Sequence, residues 1–251
     1  MDRVPNFVVV FMFFLIFAIT HAEKEEVKQA LVTFMGKLSP QNVQRDANWG
    51  WNVTSDPCID KWRGVGCDNG LQTVKKIALD GYNFTGVLDA GSLCVTTSLA
   101  VLSLSDNNIS GEIPTQIANC NDLGHLYLGG NHFSGNLPAS LSQLRNLKRL
   151  DVSNNDLFGE LPDLRTISGL LSFLAQNNQL SGEIPKFDFS ELMQFNVSYN
   201  NLSGPIPDVN GHFGASSFMG NPGLCGEPLP NPCPMPPPAK ISRGLSYLVP
   251  N

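Results

Sequence analysis

The chain has 251 residues and a formal net charge of −6. No stretch is dense in Lys or Arg, which argues against a nucleic-acid partner. The length exceeds one average domain, but a regular internal repeat points to a single elongated body.

Arg3 precedes an unbroken apolar run from Phe7 to Ile19, 13 residues long. That is short for a bilayer span and suits the apolar core of a secretory signal peptide. A buried helix or a short anchor is the blander reading of the same run. Thr20-His21-Ala22 supplies the small-residue cleavage site, so 1–22 is read as signal peptide and the mature chain starts near Glu23. All six cysteines follow that point, and five N-x-Ser/Thr sequons occur, at Asn52, Asn83, Asn108, Asn196 and Asn201. Even cysteines, candidate glycan sites and a signal peptide agree on the secretory pathway. No second apolar run is long enough for a membrane helix. The chain is expected to be either secreted or the extracellular piece of something longer, with membrane contact only through a segment absent here.

Residues 23–70 read as an N-terminal cap. Glu25 to Leu38 fits an amphipathic helix with Val27, Ala30, Leu31, Phe34 and Leu38 on one face, and Trp49, Trp51 and Trp62 add bulk. Residues 71–212 then hold six copies of one unit. Asn107, Asn131, Asn155, Asn178 and Asn200 fall 24, 24, 23 and 22 residues apart, each closing a Leu-x-Leu stretch. An earlier, degenerate copy runs Val74-Lys-Lys-Ile77-Ala-Leu79 and places Tyr82 where the Asn belongs.

Each recurring residue has a physical reason. Alternation such as Leu102-x-Leu104 predicts a short strand with one face inward. One copy cannot bury that face alone, so copies stack around a shared core. The Asn turns the chain off the strand, and its amide can pair backbone groups that would otherwise be buried unsatisfied. Gly111 and its equivalents permit a tight bend, and Pro114 and its equivalents begin the return path. Six strands at about 4.8 Å spacing give a parallel sheet roughly 25–30 Å across.

The pattern Leu99, Leu102, Leu104, Asn107, repeated as Leu123, Leu126, Leu128, Asn131 and Leu147, Leu150, Val152, Asn155, resembles the leucine-rich repeat. The added Ser-Gly-x-Ile/Leu-Pro (Ser110 to Pro114, Ser134 to Pro138, Ser181 to Pro185, Ser203 to Pro207) resembles its plant-type subclass. The implied fold is α/β: a plant-type leucine-rich-repeat solenoid, a short right-handed arc with a concave parallel β-sheet, disulfide-capped at both ends. Cys58 to Cys67, with its C…WxGVxC pattern, resembles the N-terminal cap of plant leucine-rich-repeat receptors and implies a Cys58–Cys67 bond. Phe218 to Cys233 resembles those receptors' C-terminal cap (213–233) and implies a Cys225–Cys233 bond. Zinc is the alternative for these thiols, weakened by an oxidising compartment and scattered histidines. Cys94 and Cys120 lie 12 and 13 residues after equivalent positions of neighbouring copies, Tyr82 and Asn107, so stacking would bring them together on the convex side. After Cys233 a Pro-rich stretch, 234–251, reads as a juxtamembrane-like linker.

No catalytic set is visible. His125, His132 and His212 lie in no recognisable catalytic context, and Asp188-Phe189 is followed by Ser190 rather than Gly. No enzyme activity, cofactor or metal is expected of this portion. Function is expected on the strand residues that alternate with the buried ones. At the ends of the arc these are small or polar. In the middle, His125, Tyr127, Arg149, Asp151 and Leu174 gather an aromatic face, both charges and an apolar neighbour, a composition common at binding anchors. The blander reading is ordinary surface variation. A glycan at Asn196 would block the last copy.

The resemblance extends to small six-repeat receptor-like kinases of plants, including the pollen receptor-like kinases and related atypical receptor kinases. It implies the ectodomain of such a kinase on the extracellular side of the plasma membrane, binding a secreted peptide or a larger leucine-rich-repeat receptor on the concave face. An active or inactive kinase domain would follow in the full-length protein. Two alternatives stay open: a secreted protein resembling the polygalacturonase inhibitors, which block a microbial cell-wall hydrolase, and a soluble decoy.

Overall fold

The computed structural model describes residues 24–40, 49–70 and 72–234. The segment 1–22, read as a signal peptide, and the stretch beyond Pro234, read as a linker, lie outside the described residues. Helix α1 (24–38) buries Leu31, Phe34, Met35 and Leu38 against the first copies. Met35 belongs to that buried face although the sequence pattern had not included it. Phe34, Trp51 and Trp62 continue the packing, with centroids 6.4 Å (Phe34–Trp51) and 5.3 Å (Trp51–Trp62) apart. Both buried indoles find partners, as buried N–H groups must: Trp51 Nε1 donates to the Arg63 carbonyl and Trp62 Nε1 to Ser55 Oγ.

The concave sheet has seven strands. β1 (Val65–Cys67) is antiparallel to β2 (Val74–Ala78). β3 (Val101–Ser103), β5 (His125–Tyr127), β7 (Arg149–Asp151), β9 (Ser172–Leu174) and β11 (Gln194–Asn196) follow in parallel, in that spatial order. The cap strand β1 therefore covers the edge that would otherwise stay open. On the convex side the chain returns through short pieces: a single α-helical turn, α2 (Ala90–Leu93), and 3-10 turns at Thr115–Asn119 and Ala139–Gln143. Copies five and six are shorter, and there Phe173, Phe187, Phe189, Phe195, Phe213 and Phe218 form a contiguous aromatic cluster.

A second sheet was not read from the sequence. The Ser-Gly-x segments do more than bend. They form β4 (Ser110–Glu112), β6 (His132–Asn136), β8 (Asp156–Glu160), β10 (Gln179–Gly182) and β12 (Asn201–Pro205), closed by β13 (Gly223–Cys225) from the C-terminal cap. Neighbours pair in parallel, for example Gly135 with Leu157. The glycine is needed for conformation: Gly135 sits at φ +78°, and an added Cβ would fall 2.9 Å from Glu112 Cγ in the copy before it.

The asparagines stitch the copies. Asn131 Nδ2 lies within hydrogen-bond reach of the Leu104, Leu128 and Gly129 carbonyls, and its Oδ1 accepts from the Ile109 amide. Leu104 and Ile109 belong to the preceding copy, so each Asn satisfies the turn before its own. This explains Tyr82. The first copy has no complete copy before it, and Asn107 already accepts from the Tyr82 and Phe84 amides and donates to the Leu79 carbonyl. Tyr82 instead packs edge-on against Trp49 at 4.8 Å, with Arg63 over both rings. At the other end Asn221, inside the cap, repeats the ladder, donating to the Val197 and Phe218 carbonyls.

Three disulfides join Cys58 to Cys67, Cys94 to Cys120 and Cys225 to Cys233. The cap helix is tied to the first copy by backbone bonds from Gly86 to the Leu38 carbonyl and from Val87 to the Lys37 carbonyl. Gly86 has no alternative: a Cβ there would lie 1.9 Å from the Lys37 carbonyl oxygen.

Candidate functional site

Strand register decides which side chains meet on the concave face. His125 is opposite Arg149, and Tyr127 is opposite Asp151. Asp151 is in turn opposite Leu174, and Arg149 opposite Ser172. Because alternate residues of a strand share a face, the five residues occupy one patch across β5, β7 and β9. His125 and Tyr127 are near-parallel, with centroids 6.2 Å apart and planes 12° apart. Arg149 is exposed, and the other four are half-buried.

The charges are unequally engaged. Asp151 Oδ1 accepts from the Ser153 amide at 2.9 Å and hydroxyl at 2.7 Å, so its carboxylate is partly satisfied within its own turn. Gly129 makes that possible: a side chain there would sit 3.0 Å from the same oxygen. Arg149 forms no ion pair among the described residues. Partial burial holds the His125 pKa below its usual 6.5, and the nearby positive charges of Arg149 and Lys148 push it the same way. Lys148, exposed at the entry to β7, had no place in the alternation pattern. Its adjacency to Arg149 in the sequence was the available signal.

Other inner-face positions behave differently. Asp80 accepts from Ser103 Oγ at 2.5 Å and from the Ser105 amide at 2.8 Å. Ser172 is buried and donates to Gln194 Oε1, so it offers no free hydroxyl. Asn196 is half-buried on the same face, its Oδ1 accepting from the Ser198 amide. Among the described residues no cluster of His, Cys, Asp and Glu is arranged to hold a metal.

A leucine-rich-repeat N-terminal domain model matches residues 27–68, and a leucine-rich-repeat model matches 97–157. The crystal structure of a Pollen Receptor Kinase 3 superposes with a TM-score of 0.67 at 33% identity, over 73% of this chain and 90% of that one. The chain belongs to the plant leucine-rich-repeat receptor kinases. Pollen receptor-like kinase 4 of Arabidopsis thaliana is 36% identical over 188 residues, 73% of this chain. The chain spans 27% of that kinase's length. A chain of the BIR3–SERK2 complex from Arabidopsis thaliana superposes with a TM-score of 0.53 at 28% identity, over 82% of this receptor-type chain and 97% of that one. Repeats and caps together thus correspond to a receptor-kinase ectodomain.

Proposed function

We propose that this chain is the extracellular recognition module of a plant receptor-like kinase. Its concave face, around His125, Tyr127, Arg149, Asp151 and Leu174, captures a secreted peptide or a partner receptor. Capture on the outside draws together intracellular domains beyond this chain, and no bond is made or broken here. The observation that carries the reading is Arg149, without an ion pair among the described residues, beside the His125–Tyr127 ring pair on a parallel sheet. A rigid platform with an aromatic and a free guanidinium loses little entropy on binding and offers the residue types that dominate hot spots.

The length of the array refines this. A standard interface takes about 800 Å² from each partner, which is large for an arc of six short repeats. That favours a ligand shared with, or replaced by, a second receptor. The BIR3–SERK2 complex, to which a chain of similar extent belongs, supports the same arrangement. By this reading the chain acts at the extracellular side of the plasma membrane.

The test uses the secreted chain as bait in plant extract, with mass spectrometry of what it retains. Secreted peptides or leucine-rich-repeat receptor ectodomains are the expected prey. Retention of a cell-wall hydrolase, with neither of those, would overturn the proposal.

A further inference from the structure

In each copy the residue just before the ladder position has a left-handed backbone: Gly81, Asp106, Gly130, Asn154, Asn177, Tyr199 and, in the cap, Gly220, at φ between 53° and 75°. Six of the seven are Gly, Asn or Asp, the types that adopt this conformation with least strain. Tyr199, at φ +55°, is the exception. Burial does not demand it, because the residue is 52% exposed. Its ring lies against the next copy at Gly220, where an added Cβ would fall 2.5 Å from Tyr199 Cδ1 and 3.0 Å from Cε1. Glycine at 220 therefore makes room for the ring, while about half of Tyr199 stays open to solvent. A strained, exposed, deliberately seated aromatic is a reason to look for what covers it.

The exception coincides with a second feature. Tyr199-Asn200-Asn201-Leu202-Ser203 places a glycosylation sequon two residues on. Asn200 between them points inward, its amide bonded to the Ala175, Val197 and Ser198 carbonyls. Its two neighbours are both exposed. No other sequon has an aromatic at that offset: Asn52 has Gly50, Asn83 has Gly81, Asn108 has Asp106 and Asn196 has Gln194. A pyranose ring carries axial C–H groups on one face, which pack favourably on an aromatic face much as other C–H donors do.

We propose that Tyr199 is the seat of an N-glycan on Asn201, whose first N-acetylglucosamine stacks on the exposed face of the tyrosine ring. Attachment joins Asn201 Nδ2 to C1 of that sugar as the C1–O–phosphate bond of a lipid-linked donor breaks. The Nδ2 proton leaves, and the diphosphate takes the electron pair. The sugar then covers the aromatic and fixes the last copy against the C-terminal cap. The inference rests on passage through the secretory pathway and not on the concave patch, so either can fail without the other.

The test compares the full 251-residue chain, secreted from cultured human cells, with Tyr199→Phe, Tyr199→Asn, Tyr199→Gly and Asn201→Gln. Asn and Gly fill the same position in other copies, so at least one ringless variant folds. Glycopeptide mass spectrometry reads occupancy of Asn201. Release of its glycan by peptide N-glycosidase from native protein reads stacking. We expect wild type and Tyr199→Phe to release the glycan about fivefold more slowly than the ringless variants. Asn201→Gln should lower Tm by about 2 °C in the wild-type background and not in Tyr199→Asn. An unoccupied Asn201, equal release rates with and without the ring, or the same Tm change in both backgrounds would each overturn the proposal.

Discussion

The first two copies and the three that follow share one backbone and use their inner faces differently. In copies one and two, Asp80 is bonded to Ser103 and Ser105, Asp89 bridges to Lys37 of the cap, and Cys94 is bonded to Cys120 behind them. In copies three to five, Arg149 and Lys148 have no ion-pair partner among the described residues, and the near-parallel His125 and Tyr127 rings are only half-buried. The contrast separates a foundation braced across copies from a face where two adjacent cations stand without ion-pair partners among the described residues and Asp151 is held only by its own turn. Polar groups already satisfied inside a protein have little to gain from a partner, whereas unpaired ones do.

Removing the brace should give the largest effect. Replacing Cys94 and Cys120 together by Ser should destabilise the chain by about 3.5 kcal/mol in the chain-entropy account, read as a shift in denaturant midpoint. The ladder, by contrast, should not distinguish the two regions. Asn107→Ala and Asn155→Ala each leave buried backbone groups unpaired and should each cost about 3 kcal/mol. A large inequality would show that the backbone scaffold, and not only its side chains, differs between them. Smaller still, Asp80→Asn should cost about 0.5–1 kcal/mol, because a neutral amide oxygen replaces the carboxylate that accepts from Ser103 and Ser105. Arg149→Ala should lie within about 0.5 kcal/mol of wild type, because its side chain has no ion pair among the described residues.

Acid separates the regions by pH window. Burial alone would raise the Asp89 pKa, but its bonds to Lys37 and Ser92 outweigh that and hold it below 3.8. Its contribution is present above pH 3.8 and is lost as pH falls through the lower folded value. His125 behaves in the opposite chemical sense. Its folded pKa lies below 6.5, so the folded state binds fewer protons and stability declines as pH falls below 6.5. Thermal scans between pH 7 and pH 5 should show a small loss in wild type that His125→Gln removes.

Much of this was legible in the sequence because the repeat is redundant. A misread copy is corrected by its neighbours, and the Leu-x-Leu-x-x-Asn unit carries its own strand, turn and cross-copy pairing. The second sheet was not legible, since Ser-Gly-x is short, contains a left-handed glycine and pairs only with other copies. Nor was the ladder residue Asn221 hidden in the cap. Alternation placed His125, Tyr127, Arg149, Asp151 and Leu174 on one face, and the strand register brings them together. It could not tell that Asp151 turns onto Ser153 or that Ser172 is covered by Gln194, because those outcomes depend on rotamers and not on spacing.

The central claim is that recognition belongs to β5, β7 and β9 and not to the braced strands before them. It is tested most directly by mass-spectrometric quantification of peptides and receptor ectodomains captured from plant extract by three secreted proteins. These are the wild type, Tyr127→Ala with Arg149→Ala, and Lys76→Ala with Asp80→Asn. The account predicts that the first double variant loses capture by at least about tenfold while secretion and Tm stay unchanged, and that the second captures as wild type does. Equal capture by all three, or loss confined to the Lys76 and Asp80 variant, would contradict it.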